Sequence, residues 1–342
     1  MTVGDDRPRV GVCGLGLIGG SLLLALRDAG FAVRGCDVWP EPRTWCAEQG
    51  IDVDGSPEAT ARAVDVVIVC VPPHATAPVG AAVLEANPHA VVLDVASVKR
   101  TVVDEVRERV PDAADRFLPA HPLAGGERGG FAAARADLLV DAPWAICPPA
   151  SDPDGESSSL DLLLAVAPVL DALSARIVVC TADAHDRVVA GTSHAPHVAA
   201  GVIADVAVDA QRGGPLAAVL SGGGLRDTTR IAGAPASLWI EVLHANADAT
   251  ADALDATADR LRAAADAVRT GDRERLESIW AAGGAAREAT AHARWSTRDW
   301  TSFVAPATWA TLLELGRDGV AVRRLRAAAG ARVTGERTPP PA

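Results

Sequence analysis

The sequence predicts an α/β chain, with a doubly wound sheet domain followed by an all-helical domain. Three observations predict it. Short apolar strands alternate with helical stretches from residue 9 to about residue 180. Strands such as 65–71, DVVIVCV, are unbroken apolar runs, as expected where both faces of a parallel sheet are covered. From residue 181 the strand pattern stops and long amphipathic helices follow. A chain of 342 residues has room for about two domains. With 49% hydrophobic and 22% charged residues it is globular. The expected division is a sheet domain over 1–180, a helical domain over 181–291, and a short C-terminal extension over 292–342 with no assigned role.

The first strand, 9–14, runs into Gly14-Leu15-Gly16-Leu17-Ile18-Gly19, and an apolar helix starts directly after it. This is GxGxxG between a strand and a helix. The first Gly makes the turn, the second admits a pyrophosphate, and the third lets the helix pack on the strand. The helix N-terminus then faces the phosphates with its partial positive charge. A second strand, 32–36, ends at Asp37, about 20 residues on, where an acid holds the ribose hydroxyls. Gly14, Gly16, Leu17, Ile18, Gly19 and Asp37 are therefore candidate dinucleotide ligands in a Rossmann-type domain. The alternative is a tight βα turn without a ligand. A carboxylate at Asp37 repels a 2′-phosphate and favours NAD over NADP, while Arg34 and Arg43 stand near enough to soften that preference.

Pro72-Pro73 ends the strand 65–71, a helix is expected over 74–86, and a buried strand over 90–95. DVASVK follows at 94–99. Ser97 caps the next helix, faces a substrate, or does both. Lys99 is the only lysine in a chain rich in arginine, which adds weight to a functional role. Residues 118–131, LPAHPLAGGERGGF, form a polar, Gly-rich loop after another apolar run. His121 precedes Pro122 and is pushed towards extended backbone. Loops of this kind on a rigid scaffold are where catalytic side chains sit, although a surface turn with an incidental His fits this stretch alone. Strands at 116–120, 144–147 and 176–180, with a helix at 160–174, complete the sheet domain.

A long helix is expected over 182–209. It carries His194 and His197 three positions apart on one face, with Pro196 kinking the helix between them. The two imidazoles serve either a ligand or the helix core. In 221–232, SGGGLRDTTRIA, Arg226 and Arg230 stand at i and i+4 if helical. Two guanidinium groups beside a Gly-rich turn make a site for a dicarboxylate, since Arg grips carboxylates bidentately. An exposed, salt-bridged helix start is the alternative. Amphipathic helices are expected over 236–269 and 272–291. Their apolar face of Leu238, Ile240, Val242, Leu243, Leu254 and Leu261 is expected to pack on other helices or on a second subunit. In the tail, a helix over 306–316 and a β-hairpin around 319–334 are expected.

A net charge of −12 with no basic block argues against nucleic-acid or anionic-membrane partners. It leaves room for an anionic small substrate, which needs only a local basic pocket. MTVGDDRPRV has no apolar signal core, and no run of about 18 uncharged apolar residues occurs. The six cysteines lack metal-ligand spacing, so no metal site is expected and a reduced, cytoplasmic protein fits best. The chain has eight tryptophans and no tyrosine.

Taken together, GLGLIGGS, DVASVK, HPLAGGERGG, SHAPH and GGGLRDTTRIA, in that order and spacing over about 9–290, resemble the prephenate/arogenate dehydrogenase family of tyrosine biosynthesis. Ala96 stands where the family usually has Gly, and Ala195 where Leu is common; neither removes a functional group. The tail looks too short for the ACT regulatory domain that many relatives carry. The resemblance implies NAD-dependent oxidative decarboxylation of prephenate to 4-hydroxyphenylpyruvate. His121 would accept the proton of the ring hydroxyl, and Ser97 would orient that hydroxyl. Arg230, with Arg226, would hold a substrate carboxylate. His197 and His194 would line the side-chain end of the pocket, and Glu127 would help close the site. The resemblance also implies a homodimer through the helical half. An enzyme that makes tyrosine gains by avoiding it, which fits the missing residue. Arogenate or a 4-amino-4-deoxy analogue is the alternative substrate, and a non-catalytic NAD sensor the alternative class.

Overall fold

A computed structural model describes residues 7–126, 129–156, 159–209, 213–234, 236–293 and 299–339. The chain divides into two compact units, Met1–His185 with Thr297–Pro341, and Asp186–Ser296. The first is built on strands β1 (Val10–Cys13), β2 (Val33–Cys36), β3 (Asp52–Asp54), β4 (Val66–Val69), β5 (Val91–Asp94) and β6 (Phe117–Leu118). These pair in the order β3-β2-β1-β4-β5-β6, all parallel. Every residue of β1 and β4 is buried, because helices cover both sheet faces.

At Pro119 the chain leaves this sheet. β7 (Ala120–Pro122) joins a second sheet with β8 (Pro143–Ile146), β9 (Arg176–Val179), β10 (Thr301–Pro306), β11 (Val322–Ala328) and β12 (Arg332–Arg337). Its order is β10-β12-β11-β9-β8-β7. The expected tail helix and hairpin are present, as Trp309–Arg317 and as β11 with β12. What the sequence did not indicate is where they go. β11 pairs antiparallel with β9 through Val322 and Ile177, so the tail extends the sheet of the first unit. Gly316 makes this possible: a Cβ there would lie 1.8 Å from the Val179 carbonyl oxygen. Trp309 and Trp144 are fully covered in the shared core.

The second unit is helical, and two expected helices are broken. The stretch over 182–209 is helix Ala182–Val189, a π turn Ala190–His194, and helix Ala195–Val208. Pro196 lacks an N–H, and the irregularity falls in the turn before it rather than as a kink at it. The stretch over 236–269 breaks at Asn246, between Ala236–Ala245 and Ala247–Thr270. Of its expected packing face, Val242 is buried, whereas Leu238, Ile240 and Leu261 are exposed. Among the described residues no helix is long and apolar enough to cross a membrane.

Candidate active site

In the first unit, the glycine loop has the three-part geometry that the sequence pattern implies. Gly14 has φ +92°, and a Cβ there would meet the Cys70 carbonyl oxygen at 2.5 Å. At Gly19 a Cβ would lie 1.8 Å from the Gly14 carbonyl oxygen, so helix Leu17–Asp28 sits directly on the strand. A Cβ at Gly16 meets nothing within 4 Å. That open side is where a phosphate can approach the backbone. No side chain caps helix Leu17–Asp28, and its first turn holds no acid to compete with an anion.

Asp37 stands at the end of β2. Its Oδ2 accepts from Leu15 N (2.6 Å) and its Oδ1 from Trp39 N (2.8 Å), which joins the glycine loop to the turn after β2. Arg34, a candidate for softening the cofactor preference, is committed elsewhere. It donates to Asp54 through Nε (2.9 Å) and Nη2 (2.8 Å), and to Asp52 through Nη1 (2.6 Å). These hydrogen bonds hold the Asp54 carboxyl below the usual carboxylate range.

His121 lies in β7, half-buried, opposite Ala145 of β8. Its Nδ1 is 2.9 Å from Nε2 of His185, which is buried in helix Ala182–Val189. One imidazole donates and the other accepts. If His121 donates through Nδ1, its Nε2 carries no proton, as a proton acceptor requires. His185 was not visible as a site residue in the sequence, because 64 positions separate the two rings. Arg100 Nη1 donates to Asp183 (2.5 Å) and so ties the start of helix Arg100–Arg109 to the helix carrying His185.

Ser97 is half-buried. It does not cap the following helix, whose N-cap is Lys99 with no side-chain cap bond, and its hydroxyl makes no hydrogen bond among the described residues. Lys99 is fully buried with Asp94. Its Nζ donates to Asp94 Oδ2 and to the Ala120 carbonyl, both at 2.5 Å. Burial pushes the Asp94 carboxyl up, and the Lys99 ammonium pulls it back. The loop after His121 is anchored at its far end, where Arg135 N donates to the buried Ser21 hydroxyl (3.0 Å) beside the glycine loop. Glu127, within that loop, lies outside the described residues.

In the second unit, His197 donates from Nδ1 to the Ser193 carbonyl (2.8 Å), which leaves Nε2 as its free nitrogen. Its ring stacks on Trp239 at 3.6 Å between centroids. His194 is 1% exposed. Asn246 Nδ2 donates both to its Nδ1 (3.2 Å) and to the Asp186 carbonyl (2.8 Å). That explains the helix break at Asn246 and makes His194 a packing residue as well as a candidate ligand. Arg226 lies in helix Gly223–Thr229 and Arg230 opens the 3₁₀ turn after it. Both are exposed. Among the described residues Arg226 pairs with Asp227 at 3.9 Å, both side chains exposed, so the alternative of an exposed, salt-bridged helix start also fits the structure. Among the described residues no cluster of His, Cys, Asp or Glu could hold a metal.

Residues 22–179 match the family model for the prephenate dehydrogenase nucleotide-binding domain, and 181–281 that for the prephenate dehydrogenase dimerization domain. The chain is 30% identical to a cyclohexadienyl dehydrogenase of Zymomonas mobilis over 72% of its length and 83% of the relative. It is 27% identical to a prephenate dehydrogenase of Lactococcus lactis, over 81% and 76% of the two chains. The crystal structure of Synechocystis arogenate dehydrogenase superimposes with a TM-score of 0.69 at 25% identity, covering 82% of this chain and 99% of that one.

Proposed function

Because the chain belongs to the prephenate dehydrogenase family and is a dehydrogenase, we propose that it oxidatively decarboxylates prephenate to 4-hydroxyphenylpyruvate, with NAD as the hydride acceptor. The observation that carries this reading is the His121–His185 pair at the end of the strand layer. It holds the His121 ring through Nδ1.

Several features of the chain support the cofactor. The Gly16 backbone and the uncapped helix N-terminus fit a pyrophosphate, and Asp37 fits the ribose hydroxyls. Arg34 is held by two carboxylates, so Asp37 decides and NADP is disfavoured. NAD supplies the acceptor for the hydride that leaves the hydroxyl-bearing ring carbon.

The rest is done by side chains. His121 Nε2 takes the hydroxyl proton as the carbon–oxygen double bond forms. The Ser97 hydroxyl orients the same oxygen. Loss of CO2 from the opposite ring carbon then aromatises the ring, and the oxygen recovers a proton. Arg230, assisted by Arg226, holds a substrate carboxylate. His197, fixed by Ser193 and Trp239, offers Nε2 to the side-chain end of the substrate. Glu127 helps to close the site. The helical unit forms a homodimer, in keeping with its match to a dimerization domain.

The test is initial-rate formation of NADH or NADPH with prephenate and arogenate side by side. We expect the highest kcat/KM for prephenate with NAD. A higher value for arogenate would move the substrate, and a higher value for NADP would remove Asp37 as the selector.

A further inference from the structure

The strongest unexplained feature is the buried ion pair. Asp94 and Lys99 are both 0% exposed, and neither is expected to touch substrate. Two charges sealed in a core are rarely a net gain over apolar side chains of similar size, because desolvation offsets their attraction. Their bonds show where they act. Asp94 Oδ2 accepts from Ala96 N (3.0 Å), the residue before Ser97. Asp94 Oδ1 accepts from Ala120 N (2.8 Å), and Lys99 Nζ donates to Ala120 O (2.5 Å). Ala120 is the residue before His121.

The location is the point where the chain changes sheet. β5 pairs with β6 at Val92–Phe117 and Leu93–Leu118, and the register then ends. Beyond it, Ala120 belongs to β7 and pairs with Ile146 of β8. On the β5 side its N–H and C=O have no strand partner, and the ion pair supplies both. One rigid unit thus grips the backbone immediately ahead of Ser97 and immediately ahead of His121.

Resting on the function proposed above, we propose that Asp94 and Lys99 are a positioning pair that sets Ser97 and His121 relative to each other for reaction on one hydroxyl. The competing explanation is that the pair only satisfies backbone groups and has no bearing on turnover. Both explanations predict some loss of stability when the pair is removed, since Ala96 and Ala120 lose backbone partners; only the positioning role predicts a large loss of kcat at near-normal NAD affinity.

The test is the double variant Asp94→Leu/Lys99→Met, measured for melting temperature, NAD dissociation constant, kcat, and the NMR signals of the His121 ring, identified by comparison with His121→Asn. We expect a lowered melting temperature, because Ala96 N and the Ala120 N–H and C=O lose their partners, and NAD affinity within about threefold, since Gly16 and Asp37 are untouched. We expect kcat to fall by about 30–300-fold, the scale of a displaced reacting group, with the His121 ring signals shifted or broadened. A kcat within about threefold of wild type with unchanged ring signals would overturn the proposal. So would a parallel loss of NAD binding, which would make the pair a general support of the sheet. If the double variant does not fold, Lys99→Arg keeps the charge and moves the donor. We then expect at least a tenfold lower kcat at near-normal NAD affinity, and an unchanged kcat would overturn the proposal. His121→Asn, run in parallel, separates the two claims. If it stays active, the functional reading fails and the positioning role falls with it. If it is inactive while the double variant is active, only the positioning role falls.

Discussion

In the sheet unit Trp144 and Trp309 are fully covered, and even the Asp94–Lys99 charges are closed off from water. In the helical unit Trp280 is 85% exposed, and Val206, Leu216, Val219 and Leu220 are 45–80% exposed. The first unit completes its core from its own chain, with the tail supplying β10, β11, β12 and the Trp309 helix. Among its described residues the second holds few large apolar side chains inside: its buried set is Val189, Val242, four alanines (Ala190, Ala195, Ala200 and Ala267) and the polar Asp186, His194, Asn246 and Thr250. A single chain with that much exposed apolar surface implies another surface to meet it. The proposed chemistry divides in the same way. The glycine loop, Asp37, Ser97, His121 and His185 belong to the first unit, and His197, Arg226 and Arg230 to the second. Turnover should therefore be sensitive to the first unit, and substrate affinity and assembly to the second.

The largest expected effect breaks the self-sufficiency of the sheet unit. Trp309→Ala should lower unfolding free energy by about 3–5 kcal/mol, since it empties a fully covered site between the tail helix and the sheet. Chemical denaturation checks this, and a loss below about 1 kcal/mol would make the tail an appendage. Next, Arg230→Ala should raise KM for substrate with little change in kcat, by about 2–4 kcal/mol in binding terms, with Arg226→Ala doing less. An unchanged KM would put the carboxylate elsewhere.

Legibility follows the same line between local and distant. Gly14, Gly16, Gly19 and Asp37 are readable because strand, turn, helix and acid follow one another within about 25 residues. His121 stood out through its Gly-rich loop. His185 and Asp94 did not, because their roles depend on pairings across 64 and 26 positions. Residues 182–209 have one continuous helical pattern, and only the side-chain demands of His194 and Asn246 show where helices break. The tail was readable as a helix and a hairpin. Its docking on β9 rests on one close approach at Gly316, which no local pattern reveals.

A smaller effect bears on assembly. Leu216→Asp, on the exposed helix Gly214–Leu220, should shift the protein from dimer towards monomer in sedimentation at micromolar concentration, while leaving NAD affinity unchanged. A wild type that sediments as a monomer would contradict the proposed dimer directly. The smallest effect lies in the first unit. Asp54→Asn should lower stability by about 1–2 kcal/mol at pH 7, because it loosens a bidentate bond to Arg34. The Asp54 carboxyl is held below its ordinary value chiefly by that bond. Its contribution is therefore complete above the unfolded value of about 3.9 and is lost as pH falls through the lower folded value. The gap between wild type and variant should close in acid, and a gap that does not narrow as the carboxylate is protonated would mean the carboxylate was not its source.

The account stands most directly on His121 as the proton acceptor, and the pH dependence of kcat in wild type and His121→Asn tests it. The acceptor works only when deprotonated, so wild-type kcat should fall as pH drops and the acceptor becomes protonated. In His121→Asn, kcat should drop by about 10²–10⁴-fold, the acidic limb should vanish, and NAD should still bind. A variant with near-normal kcat, or one that keeps the same acidic limb, would contradict the assignment and turn attention to His197.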